Sequence, residues 1–183
     1  MRDERGGCLL FLIIFILHNS DFILFLPVLL YLLRHAEAEP HRCDDFSRRL
    51  TEKGERQAAR VGEFLSKSAF RPDLILTSPV LRAKETAAIV ARELASDDPD
   101  EVPWLACGMN PDRGLSELAG YAKLDSLMIV GHEPDFSTFA AHLLDLGSSH
   151  SINISKASLT AIEMPRLVPG AGVLKFLLPV KLM

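Results

Sequence analysis

VLLYLLRHAE, residues 28–37, is the stretch on which the fold turns. A short apolar run ends abruptly in charge, as a strand buried on both faces of a parallel sheet does where it reaches the sheet edge. Two later stretches repeat the pattern. LILTSP (74–79) and SLMIVGHEP (126–134) are again brief apolar runs that stop at polar residues, turn residues or proline.

Helical signals lie between these runs. Thr51 is placed to cap a helix from Glu52 to about Ser68, whose apolar residues Ala58, Val61, Phe64 and Leu65 recur at helical spacing. Ser78-Pro79 reads as a helix start, with Ser as N-cap and Pro first in the helix. That helix runs to about Leu94 with an apolar face of Ala83, Ala87, Val90 and Leu94. A weak strand is expected near Val102–Leu105, a helix over Asp112–Lys123, and a helix capped by Asp135 and reaching about Leu146. Two closing strands, Ser158–Met164 and Val173–Leu178, read as a hairpin around Gly170-Ala171-Gly172. Strands alternating with helices predict an α/β fold, a three-layer α/β/α arrangement with a mostly parallel central sheet. Ligands of such sheets bind at the carboxyl ends of the strands.

The chemistry falls at those ends. The first run delivers Arg34 and His35. The second delivers Thr77-Ser78, with Arg82 one turn further, and the run at 126–130 delivers Gly131-His132. Two arginines and two histidines at one sheet edge suit phosphoryl transfer without a metal. Guanidinium forks pair with phosphate oxygens and stay charged, and neutral imidazole is a nucleophile. Each residue alone has an ordinary explanation: a strand-end charge, a loop histidine, a solvated helix arginine paired with Glu85 or Asp73. Their joint placement is what argues for a site.

LLRHAEAEP, RRLTEKGERQA, LILTSPVLRAKETA and MIVGHEPDFS, in this order, resemble the histidine phosphatase (phosphoglycerate-mutase-like) superfamily, most closely its SixA-type phosphohistidine phosphatase branch. The resemblance covers about residues 28–180, including KASLTAIEM and LKFLLPVKL. It implies a phosphoglycerate-mutase-like fold, a phosphohistidine intermediate on His35, phosphate binding by Arg34 and Arg82, and His132 as the second histidine. It implies no cofactor and no metal. Many members place a carboxylate after the third strand to protonate the leaving oxygen. Here Trp104-Leu105 is followed by Ala106-Cys107-Gly108. Glu37, Asp112 and Glu117 are candidates for that acid by sequence proximity only. An imidazole, with a pKa of about 6.5, leaves far more easily than an alkoxide. The missing acid therefore favours phosphohistidine in a signalling protein as substrate. The alternatives are a phosphatase of small phosphoesters and a non-catalytic phosphate-binding module. A mutase is expected to keep the acid and a longer insertion.

Other classes fit less well. A net charge of −4 gives no basic face for nucleic acid. Cys8, Cys43 and Cys107 form no disulfide framework, which fits a reducing cytoplasm. The spacing of His35, His41 and Cys43 matches no common zinc pattern. Cys107 and Arg113 have the Cys-x5-Arg spacing of a cysteine phosphatase, but Asp112 between them would repel phosphate. Residues 1–27 stand apart as a hydrophobic extension on a catalytic domain of 28–183. CLLFLIIFIL (8–17) is shorter than the ~20 residues of a membrane span, and Asp21 would fall near the centre of a span over 8–33. No small-residue cleavage site follows it. A true start near Val28 is the preferred explanation, with a membrane anchor next.

Overall fold

The computed structural model describes residues 27–40 and 44–183. The extension at 1–26, and with it the start-site and anchor expectations, lies outside the described residues, as do His41 and Cys43. Val28–Leu33, counted in the possible span, form a sheet strand. Among the described residues no helix is long and apolar enough to cross a membrane.

The strands are β1 (Val28–Arg34), β2 (Leu74–Thr77), β3 (Asp100–Glu101), β4 (Ser126–Gly131), β5 (Leu159–Met164) and β6 (Val173–Leu178). They form one sheet in the order β3-β2-β4-β1-β5-β6. The pairs β3–β2, β2–β4 and β4–β1 are parallel, and β5 and β6 add antiparallel strands beside β1. The helices are α1 (Glu52–Ser66), α2 (Leu81–Leu94), α3 (Pro111–Leu118) and α4 (Asp135–Leu143).

Alternation along β1 shows why there are three layers. Tyr31 and Leu33 face one core with Ala58, Val61 and Leu65 of α1 and Ala83, Ala87, Val90 and Leu94 of α2. Leu30 and Leu32 face the other, with Leu115 and Leu118 of α3 and Phe136, Phe139 and Leu143 of α4. All four β1 side chains are buried. Each such side chain contributes about 1.5–3 kcal/mol relative to exposure. This fixes β1 in the sheet interior and sends its polar end to the sheet edge. The fold is the three-layer α/β/α arrangement expected.

The differences lie at element ends. α2 begins at Leu81, with Val80 as N-cap, because Ser78 does not cap it. The Ser78 hydroxyl accepts from Val80 N–H at 3.2 Å and also meets His132. The strand expected at 102–105 is instead β3 followed by a single tight turn, Pro103–Leu105. Val102 N–H gives the last bond to Thr77 O at 2.9 Å, and Pro103 has no N–H to extend the ladder. α3 stops at Leu118, before a short turn containing Gly120. Asp135 is the first residue of α4 and not its cap. Its carboxylate accepts from Gly108 N–H at 2.8 Å. α4 ends at Leu143, three residues short of expectation.

Candidate active site

Three adjacent strands end in register. Arg34 of β1 pairs with Gly131 of β4, and Val130 of β4 with Thr77 of β2. The next backbone bonds carry the register past the sheet edge. His35 N–H donates to Gly131 O at 2.9 Å, and Ser78 N–H to Val130 O at 3.0 Å. His35 and Ser78 are thus fixed by continuing ladders, and His132 follows directly on the paired Gly131. Gly131 is required here, since a Cβ would lie 2.7 Å from the Phe136 ring.

His35 is buried. Its Nδ1 donates to the Ala36 carbonyl at 2.7 Å, leaving the Nε2 lone pair facing Arg82 Nε at 3.2 Å. Burial, then the nearby His132, Arg82 and Arg34, push the His35 pKa down to about 3, with the Ala36 bond opposing. The ring is therefore neutral at pH 7. His132 sits beside it, ring centroids 5.3 Å apart. Its Nε2 meets the Ser78 hydroxyl at 2.9 Å, and its buried Nδ1 has no partner among the described residues. Burial and Arg82 push its pKa down to about 4.

Arg34 Nη1 donates to Ile154 O at 2.8 Å, while its buried Nε has no partner among the described residues. Arg82 is 3% exposed, which rules out a solvated helix arginine. Its partner is neither Glu85 nor Asp73. Nη1 donates to Asp45 O at 2.7 Å and Nη2 meets Asp45 Oδ2 at 3.0 Å. Glu85 instead holds Arg49 Nε and Leu50 N–H. The structure brings Arg34, His35, Arg82 and His132 together as the sequence suggested.

It also shows residues the sequence did not single out. Asp45 is gripped on its other oxygen by Arg48, with Nε at 2.8 Å and Nη2 at 2.7 Å from Oδ1. Thr86, fully buried, accepts from Ala36 N–H at 3.1 Å and donates to Arg82 O at 2.7 Å. It ties the helix carrying Arg82 to the residue holding His35. Its signal was its place one turn after Arg82. Asp45 and Arg48 had none, lying in a polar loop without a motif.

Glu133 is half-buried and its carboxyl pKa is raised by burial, with Ser137 and Arg34 opposing. Its Oε2 accepts from Ser137 Oγ at 2.5 Å. The three acids named by proximity are not in the site. Glu37 pairs with Lys53, Asp112 is mostly exposed beside His142, and Glu117 meets Arg113. Arg113 does not join Cys107, so the cysteine-phosphatase cradle is not formed. Cys107 Sγ lies 3.6 Å from Arg82 Nη2, and burial pushes its thiol pKa up, away from the reactive thiolate. Among the described residues no three His, Cys, Asp or Glu side chains are grouped to hold a metal.

The model of the histidine phosphatase superfamily (branch 1) matches residues 30–105, which carry His35, Arg34 and Arg82. An uncharacterised protein of Picosynechococcus sp. is 31% identical over 138 residues, 73% of this chain and 84% of that protein. The chain belongs to the histidine phosphatase superfamily. Within it, a 2,3-bisphosphoglycerate-dependent phosphoglycerate mutase of Streptomyces griseus is 35% identical over 111 residues. The match spans 43% of that mutase's length. The protein histidine phosphatase SixA, solved with tungstate, superposes with a TM-score of 0.76 over 84% of this chain and 97% of its own. At 18% identity that likeness is one of fold.

Proposed function

We propose that this protein is a metal-independent phosphatase that works through a phosphohistidine on His35, with phosphohistidine of a signalling protein as its substrate. One observation carries the first part. The Ala36 carbonyl occupies Nδ1 and leaves a neutral Nε2 lone pair at 3.2 Å from Arg82, inside a cluster of cations. A nucleophile so held needs no base to free it.

The step balances without a further reagent. Nε2 attacks phosphorus in line as Arg82 Nε gives up its bond to that lone pair. The bond from phosphorus to the substrate ring breaks with that ring protonated on its other nitrogen, so that it leaves as neutral imidazole. Arg34, Arg82 and His132 hold the equatorial oxygens, so positioning and charge stabilisation supply most of the rate. Water then attacks the phosphohistidine and releases inorganic phosphate.

The choice of substrate follows from the carboxyl groups. Asp45, gripped by two guanidiniums, is an acceptor and not a proton donor. Glu133 accepts from Ser137 of α4 through Oε2, while its buried Oε1 has no hydrogen-bond partner among the described residues. An alkoxide leaving group would depend on Glu133 for its proton, whereas an imidazole protonated on its second nitrogen needs no donor. The test is a panel of a phosphohistidine protein, phosphoserine and a sugar phosphate, run with wild type and His35→Ala. Wild type turns over phosphohistidine fastest, with an acid-labile phosphoenzyme, and His35→Ala forms none and loses turnover. Equal rates on the sugar phosphate would overturn the substrate assignment. Retained turnover in His35→Ala would overturn the mechanism.

A further inference from the structure

Every nitrogen of the Arg82 guanidinium already has a protein partner. Nε meets His35 Nε2, Nη1 the Asp45 carbonyl, and Nη2 the Asp45 carboxylate, with Cys107 Sγ at 3.6 Å. If Arg82 grips a phosphoryl group with two nitrogens, as the preceding function requires, Nε, freed when His35 attacks, must be joined by Nη1 or Nη2, and both of these now rest on Asp45. The Asp45 carbonyl is held by the chain, whose next residue, Phe46, accepts from Leu81 N–H at the start of α2. The carboxylate is the contact that can move at low cost, because a second cation already holds it. Arg48 forks onto Oδ1 through two nitrogens and is itself anchored by Nη1 to Glu39 O at 2.8 Å. A displaced Asp45 is not left unpaired.

We propose that Asp45 competes with the phosphoryl group for Arg82 and so sets how tightly substrate and product phosphate bind. Entry of a phosphoryl group exchanges one anion for another on Nη2, and Asp45 falls back on Arg48. A phosphate dianion matches a guanidinium fork as a carboxylate does and carries more charge. The carboxylate in turn helps expel phosphate at the end of the cycle. Asp45 is 37% exposed at its side chain while Arg82 is 4% exposed, so the pair is partly screened and the exchange is affordable.

Binding of inorganic phosphate, measured by calorimetry without turnover, tests this. Asp45→Asn keeps the shape and removes the charge, and is expected to bind phosphate about tenfold tighter, a change of about 1.4 kcal/mol. Asp45→Ala should bind tighter as well, and phosphate should inhibit turnover by either variant more strongly. In an Arg82→Ala background the gain from Asp45→Asn should vanish. Unchanged or weaker binding in both Asp45 variants would show that Asp45 only positions Arg82, and would overturn the proposal. The same gain in the Arg82→Ala background would overturn it too, since the effect would then be general field and not exchange. If wild type and Arg82→Ala bind phosphate equally, Arg82 is no phosphate ligand, and the functional assignment falls together with the proposal.

Discussion

Thr86 is fully buried and holds two backbone groups at once, Ala36 N–H and Arg82 O. Ala36 in turn supplies the carbonyl that selects the His35 tautomer. A single hydroxyl therefore links the backbone beside His35 to the helix that presents Arg82. Replacing it with valine keeps the volume and removes both bonds. Leaving Ala36 N–H buried without a partner costs about 1–3 kcal/mol. Thr86→Val is expected to lower stability by that amount in urea unfolding and to reduce kcat more than it changes KM. An unchanged unfolding midpoint would mean that Ala36 N–H finds another partner. The four residues proposed for chemistry were legible because three stand where an apolar run ends and Arg82 opens the helix that follows another. Asp45 and Arg48 were not, since only tertiary packing of a loop brings Asp45 onto Arg82, with Arg48 behind it.

At the scale of elements, the LTEKG segment shows how a helix start can set the loop that follows His35. Thr51 caps α1 by accepting from Gly54 N–H at 3.1 Å, and its own N–H donates to Glu37 O at 3.0 Å. Gln57 Oε1 accepts from Glu37 N–H at 2.9 Å. The first turn of α1 thus presses on the backbone two residues past His35. Gly54 permits that approach, since a Cβ there would lie 1.9 Å from Glu37 O. Two effects oppose each other in Gly54→Ala. Helix propensity favours alanine by about 1 kcal/mol. The clash is with backbone, which cannot swing aside, and overpacking of this kind costs roughly 1–3 kcal/mol. The clash wins, so Gly54→Ala is expected to be less stable in thermal unfolding and slower in turnover. A raised melting temperature would show that the loop yields freely. Element interiors were legible in the sequence, because burial on two sheet faces leaves a clear apolar signature. Helix ends were less so. Ser78-Pro79 looks like a cap, but the hydroxyl is drawn to His132 by a contact across 54 positions of sequence.

At the scale of the whole molecule, the buried histidine pair makes stability depend on pH. His35 and His132 have pKa values pushed down to about 3 and about 4 from an ordinary 6.5, chiefly by burial. Between those values and 6.5 the unfolded chain binds protons that the native state refuses. The pair's contribution to stability is therefore fully present above pH 6.5 and lost as pH falls toward 3. At pH 5 each histidine costs about 2 kcal/mol of native stability. Surface histidines cannot do this, since their protonation is nearly the same folded and unfolded. Arg82 and Arg34 add to the effect on both rings, and Asp45 opposes it at His132. Urea unfolding at pH 7 and pH 5 should show the loss, and a variant carrying His35→Gln and His132→Gln should show most of it removed. Glutamine cannot titrate, so an undiminished slope in that variant would assign the acid sensitivity to other groups. It would also mean that the two rings are protonated in the native state near pH 5, and a protonated His35 has no lone pair with which to attack phosphorus.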